Sequence, residues 1–354
     1  MKKTSKIMSL VLAGAMVLSM TACAGNTAET TSAAAKTQET AADTASKAEE
    51  TTGAEASESE TAAKAEGTTY KIGVLQLVQH TALDAANDGF IAALDDAGIA
   101  YEVDQQNASG DQSACQTVAS KFANEKKDLI LAIATPAAQA MVGAVEETPV
   151  LITAVTDPAE SGLVDTNEKP GANVTGTSDL TPVKEQIDLL KQLVPEAKTV
   201  GVLYCSAESN SKIQADMAKE AIAAAGMESK EYTVSSSNEI QTVVQSMVGA
   251  VDAVYAPTDN VIAAGMATVG MVAGDNNLPV ICGEAGMVQN GGLATYGIDY
   301  YQLGYMTGQQ AVKILTEGAS PADMPIEYLP AEKCELTVNE ETAQTLGIDV
   351  SGLK

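Results

Sequence analysis

The chain has few residues equipped for covalent chemistry and several suited to holding a ligand. Its single histidine, His80, stands in the polar loop Gln79-His80-Thr81. General acid–base catalysis needs a partner group, and no credible nucleophile–base pair accompanies this histidine; a ligand-touching wall residue is the better reading. No GxSxG, P-loop, GxGxxG or HExxH pattern is present, and no CxxC or Cys/His spacing calls for a metal. We therefore expect no catalytic residue, no cofactor and no metal. What remains is recognition. Thr135-Pro136-Ala137-Ala138 combines a hydroxyl, a first-turn proline and free N–H groups at a helix start, a combination that suits a carboxylate. Such a site is needed because all 20 basic residues are lysine, so no guanidinium fork is available. For a ligand ammonium the candidates are Asp157, Asp259 and Glu284. Asp259, in Thr258-Asp259-Asn260, reads equally well as a helix N-cap.

These residues belong to a repeated unit. Ile72, Val74, Leu75 and Leu77 form a short apolar run, and Leu83, Ala86, Phe90, Ala93 and Leu94 then recur at helical spacing up to Gly98. The same strand–loop–helix pattern returns over residues 199–227: Gly73 to Gly98 and Gly201 to Gly226 both span 25 positions. Later segments pair in the same order. Asp128–Pro136 matches Asp252–Asn260, Pro149–Val155 matches Pro279–Ala285, and Gly171–Asp179 matches Gly291–Asp299. The pattern predicts two doubly wound parallel α/β (Rossmann-like) lobes with strand order 2-1-3-4-5, joined by a multi-segment hinge. In such sheets ligands sit beyond the carboxyl ends of the strands. The first lobe then offers Gln79, His80, Thr81, Leu83, Thr135, Pro136, Ala137, Thr156 and Asp157 to a shared cleft. The second offers Ser206, Ser209, Asn210, Thr258, Asp259, Asn260 and Glu284.

Further along the chain, the spacing predicts Thr181 as an N-cap and Pro182 as the first residue of a helix running to Val194. It also predicts one helix over 261–275, with Met266 and Met271 on a core face. The expected first lobe is 70–178 with 299–329, and the second is 179–298. Residues 330–354 form a terminal segment whose placement the pattern leaves open. Cys205 and Cys282 end strands two steps apart, and at ~4.8 Å per step that exceeds the ~7 Å reach of a disulfide. Cys115, Cys205, Cys282 and Cys334 are expected as free, buried thiols.

Residues 1–22 read as an export signal: Lys2 and Lys3, an apolar run too short for a membrane span, then Thr21-Ala22 before Cys23. Small residues before a cysteine resemble a lipobox and imply lipidation of Cys23. Residues 23–69 are an acidic tether of Ala, Thr, Ser, Glu and Lys, too poor in apolar surface to form a core. The formal charge of −27 repels nucleic acid and anionic membrane, so neither is a direct partner.

At Gln79–Ala85, Ala132–Gln139, Thr153–Pro158, Asn173–Gly176, Pro182–Gln186, Pro257–Asn260 and Leu293–Tyr300 the sequence resembles the ABC-transporter substrate-binding lipoproteins of the tryptophan/tyrosine type. The resemblance covers about residues 70–350. It implies a type I periplasmic-binding-protein fold and a monomer anchored by lipid at the extracytoplasmic face of the membrane. It also implies capture of an amino acid, tryptophan, tyrosine or phenylalanine, for an ABC permease. Tyr204, Tyr255 and Tyr296 are candidates to stack on an aromatic ligand, although tyrosines at strand ends serve equally in a core. Thr81 stands where the family often has proline, and Glu284–Met287 departs from its usual residues. A non-aromatic ligand, such as a nucleobase, a nucleoside or an aliphatic amino acid, is therefore the alternative. A membrane-anchored sensor, a DNA-binding repressor of this fold and an enzyme are weaker readings, since the chain has a lipobox and acidic tether where a repressor needs a headpiece.

Overall fold

A computed structural model describes residues 67–353; the signal segment, Cys23 and nearly all of the tether lie outside them. In the first half, β1 (Tyr70–Gln76), α1 (Thr81–Asp96), β2 (Tyr101–Asn107), α2 (Gln112–Glu125), β3 (Leu129–Ile133), α3 (Thr135–Val142), β4 (Val150–Val155) and β5 (Val174–Ser178) alternate as the apolar runs require. Strands β3, β4 and β5 are buried along their whole length, as expected of parallel strands covered on both faces. The second half repeats the pattern with α4 (Val183–Leu193), β6 (Thr199–Cys205), α5 (Ser209–Ala224), β7 (Glu228–Val234), α6 (Ile240–Met247) and β8 (Ala253–Ala256). It continues with α7 (Asn260–Ala264), α8 (Met266–Asp275), β9 (Val280–Cys282), α9 (Ala285–Gln289) and β10 (Ala294–Gly297). The chain ends with α10 (Tyr300–Val312), β11 (Glu327–Tyr328), β12 (Glu335–Val338) and α11 (Glu340–Leu346).

The strand orders are β11-β5-β4-β3-β1-β2 and β12-β10-β9-β8-β6-β7, so each sheet contains the predicted 2-1-3-4-5 arrangement plus one added edge strand. β11 joins β5 in parallel, whereas β12 runs antiparallel to β10. The terminal segment is thereby assigned to the second sheet, where Ala343 enters the core and Leu346, Ile348, Val350 and Leu353 pack against it. Three connections cross between the sheets: β5 to α4, β10 to α10, and β11 to β12. Helix α10 returns to the first sheet and lies directly on α1. A Cβ on Gly304 would collide with the Ala86 carbonyl, and one on Gly89 with that of Tyr301, so glycine permits the approach.

Several local expectations change. The helix after β5 begins at Val183, with Pro182 as its cap residue. Thr181 does not cap it, and its hydroxyl turns instead toward Gln214 Oε1, 3.5 Å away. The single helix predicted over 261–275 breaks at Gly265, whose missing side chain makes room for Ile240. Met266 is core, but Met271 is 55% exposed. The cysteines among the described residues are free thiols, with Cys334 only half-buried because it leads into an edge strand.

Candidate functional site

The carboxyl ends of the two sheets face one another, and side chains from the two lobes meet there directly. His80 Nε2 lies 3.2 Å from Asn260 Oδ1, Gln139 Nε2 donates to Ser209 Oγ at 3.3 Å, and Gln112 Nε2 donates to the Ala207 carbonyl at 3.1 Å. Gln214, fully buried on α5, donates to Thr156 Oγ1 of the first lobe at 3.0 Å and also to Thr258 Oγ1 of its own. The cleft has two compartments that share Asn260.

The inner one is about 10 Å³, room for a single water-sized group, and is lined by His80, Leu83, Ala154, Asp179, Asn210, Thr258, Asp259, Asn260, Ala263, Glu284 and Tyr300. Its polarity is one-sided. Asp179, Asp259 and Glu284 are each at most 4% exposed, and no lysine lines the pocket. Burial pushes the carboxyls of Asp179 up to about 6 and of Glu284 to about 7, and raises that of Asp259 as well. Burial likewise lowers the pKa of His80, which keeps the ring neutral.

The acids differ in what their oxygens do. Asp259 caps α7, accepting from Ile262 N at 2.8 Å and from Cys205 N at 2.5 Å. Glu284 caps α9 through Gly286 N and Met287 N. Asp157 turns to its own loop, where Oδ1 accepts from Ala159 N, Glu160 N and the Asn167 amide, and it does not line the pocket. Asp179 keeps one buried oxygen without a partner among the described residues: Oδ2 accepts from Tyr300 OH at 2.7 Å, while Oδ1 is unbonded. Two more unpartnered buried atoms, His80 Nδ1 and Asn210 Oδ1, belong to residues lining the same pocket. Both are acceptors. Asn260 donates its amide to Glu208 at 2.6 Å, which leaves its Oδ1 to accept from His80 Nε2–H and His80 Nδ1 bare. Asn210 Nδ2 likewise donates to Glu208 Oε2 and the Thr258 carbonyl. Three unpartnered acceptors in a water-sized, acid-lined pocket match the three N–H donors of a primary ammonium.

The outer compartment, about 390 Å³, has walls of Leu77, Val78, Pro136, Cys205, Glu208 and Val261, with Ser109–Gln112 and Ser235–Ser237 at its exposed mouth. Pro136 stands in the first turn of α3, where the remaining N–H groups have no intrahelical acceptor. Beside it Thr135 Oγ1 is buried and unpartnered. Ala134 (φ 82°) and Ala154 (φ 55°) hold left-handed backbone at the carboxyl ends of β3 and β4. Such strain costs a few kcal/mol and gathers where a site needs it.

Of the sequence candidates, His80, Leu83, Asn210, Thr258, Asp259, Asn260 and Glu284 line the inner pocket, and Pro136 and Asn260 the outer one. Thr135, Ala137 and Thr156 are buried at the strand ends behind them, and Ser209 bridges to Gln139. Gln79 and Ser206 are exposed and line neither compartment; Thr81 is exposed as well, set against Gly286 of the other lobe. The tyrosine stacking candidates fall outside the cleft. Tyr204 bonds Glu231 at 2.8 Å, Tyr255 is fully buried on Gln186 at 2.7 Å, and Tyr296 packs on the second-lobe core. Asp179, Tyr300 and Glu208 are additions that the sequence pattern did not single out.

A family model described as ABC transporter substrate binding protein matches residues 71–352. A tyrosine-binding protein of Clostridioides difficile (strain R20291) is 41% identical over 352 residues, covering 98% of this chain and 93% of the relative. Among solved structures, the ABC domain from Streptococcus pneumonia in complex with L-Trp superposes with a TM-score of 0.78 at 39% identity, covering 80% of this chain and 97% of that one. A substrate binding protein with adhesive properties from Clostridium difficile, in a ligand-free, open structure, gives 0.62 at 46% identity, covering 81% and 97%. The higher identity thus goes with the poorer superposition. The chain as a whole superposes better on the L-Trp complex than on the ligand-free, open structure, and hydrogen bonds cross its cleft.

Proposed function

Because the chain belongs to the ABC transporter substrate binding protein family, whose members serve transport rather than catalysis, we propose that it captures an aromatic amino acid between its lobes and presents it to a permease. The observation that carries this reading is the trio of unpartnered acceptors, His80 Nδ1, Asp179 Oδ1 and Asn210 Oδ1, in one acid-lined pocket. The ammonium sits there, next to Asp179 and within the field of Glu284. The carboxylate takes Thr135 Oγ1 and the start of α3, and the side chain fills the outer compartment. The names of two relatives, one binding tyrosine and one holding L-Trp, support an aromatic side chain. No tyrosine of the chain stacks on it; the ring lies between Leu77, Pro136 and Val261.

A thermal-shift screen of the purified protein against amino acids, nucleobases and nucleosides tests this. Ligand at a hundred times its dissociation constant adds ~2.7 kcal/mol of stability, and tyrosine or tryptophan should give that rise. A rise with nucleosides and none with aromatic amino acids would assign the cleft to the other ligand class.

The site of action is extracytoplasmic. Among the described residues no helix is long and apolar enough to cross a membrane, and we take the anchor to be lipid on Cys23, with the protein acting as a monomer. A Cys23→Ala chain should leave the membrane fraction and appear in the soluble one. Continued membrane association would argue against the anchor.

A further inference from the structure

We infer that Glu208 reads the far end of the ligand's ring, favouring an aromatic ring that carries a hydrogen-bonding atom, a phenol hydroxyl or an indole N–H, over bare phenyl. This rests on the reading of the ligand as an aromatic amino acid. Glu208 occupies the cap position of α5 yet makes no side-chain cap to that helix. Its carboxylate turns across to α7, where Oε2 accepts from Asn260 Nδ2 at 2.6 Å, from Asn260 N at 3.3 Å and from Asn210 Nδ2 at 3.3 Å.

Among the described residues Oε1 has no hydrogen-bond partner, although the side chain is 3% exposed. Glu208 lines the outer compartment, whose neighbouring inner walls, Leu77, Pro136 and Cys205, are apolar. The other charged wall residue, Asp111, is exposed at the mouth and caps α2. A ring entering from the ammonium pocket past Asn260 therefore meets the unbonded oxygen of a buried carboxyl, Glu208 Oε1. Burial, and then the neighbouring Asp259, push the Glu208 carboxyl up to about 8. Near neutral pH it can thus give a hydrogen to a phenol oxygen as well as accept one. A phenyl ring would cover Oε1 and leave it unpaired, a cost that selects against phenylalanine.

Titration calorimetry of the full chain with tyrosine, tryptophan and phenylalanine tests the assignment, using wild type, Glu208→Ala and Glu208→Gln. Wild type should bind tyrosine and tryptophan at least about tenfold more tightly than phenylalanine. Glu208→Ala should bring the three within about threefold by weakening the first two. In Glu208→Gln the amide oxygen must stay on the Asn260 and Asn210 donors, which turns the NH₂ into the chamber. That group can still donate to a phenol oxygen but cannot accept from an indole N–H, so tryptophan should lose about tenfold and tyrosine much less. Phenylalanine bound as tightly as tyrosine by wild type would overturn the inference, as would a tenfold preference surviving in Glu208→Ala. If the alanine variant fails to fold, equal tyrosine and tryptophan affinities in Glu208→Gln overturn it. No aromatic binding by wild type would overturn the functional reading itself.

Discussion

Asp179→Asn should weaken amino-acid binding by about a hundredfold while leaving the protein as stable as before. Asp179 sits in the β5–α4 crossing and bonds Tyr300, which opens α10 directly after the β10–α10 crossing, so its carboxylate lies where the lobes hinge. An ammonium in the inner pocket is cut off from water, and deleting the partner of a buried charge costs 2–5 kcal/mol or more; at 1.4 kcal/mol per tenfold, a hundredfold is near the low end. Asparagine keeps a bond to Tyr300 and removes a carboxyl whose charge burial already disfavours, so the unfolding midpoint should not fall. Asp157→Asn is the matched control. Its carboxylate serves Ala159 N, Glu160 N and Asn167, so affinity should stay within about threefold. Calorimetry and thermal unfolding on both variants give the answer, and an Asp179→Asn protein that binds normally would move the ammonium to another acid.

Ligand-free protein should be more stable at pH 5 than at pH 8, the reverse of what an acidic protein with ordinary carboxyls shows. Burial lifts Asp179 to about 6, Glu284 to about 7 and, with Asp259 adding to it, Glu208 to about 8, all above the usual value near 4. The folded, closed chain therefore holds more protons than the unfolded one between about pH 4 and 8. Stability is full below the unfolded values and is lost as pH climbs through the folded ones. Between pH 5 and pH 8 Asp179 alone contributes about 1.4 kcal/mol, because pH 5 lies about one unit below its folded value, or about 2 °C or more in midpoint for a chain of this size. A saturating amino acid should shrink the difference, because its ammonium supplies the counter-charge that the protons supply without it. A midpoint that rises from pH 5 to pH 8 would show that the acids are hydrated when the cleft is empty.

Much of the architecture is legible in the residues. The apolar runs at Ile72–Leu75 and Val200–Leu203, the paired glycine spacings and the matched loops specify two sheets of the same order, and with them which loops face the cleft. The departures have physical causes. Helical periodicity runs unbroken from Val261 to Asp275, and only the packing of Ile240 makes Gly265 a break. β12 pairs antiparallel on an edge, which depends on a chain reversal that no local pattern encodes. Asp179 was visible in one respect: it is the repeat partner of Asp299, eight positions after the matched glycine. Asp299 caps α10 through Gln302 N, whereas Asp179 leaves an oxygen free because Tyr300 holds the other. That difference arises from the meeting of two crossings. Glu208 was hidden for a similar reason, since a cap position gives no sign that the side chain serves a different helix.

The most direct test of ligand capture between the lobes is a crystal structure of the protein with tyrosine bound. The ammonium should lie within hydrogen-bond distance of Asp179 Oδ1, His80 Nδ1 and Asn210 Oδ1, the carboxylate at Thr135, and the ring in the chamber between Leu77, Pro136 and Val261. An ammonium held instead by Asp157 or Asp259, or a ligand bound outside the inter-lobe cleft, would contradict this placement.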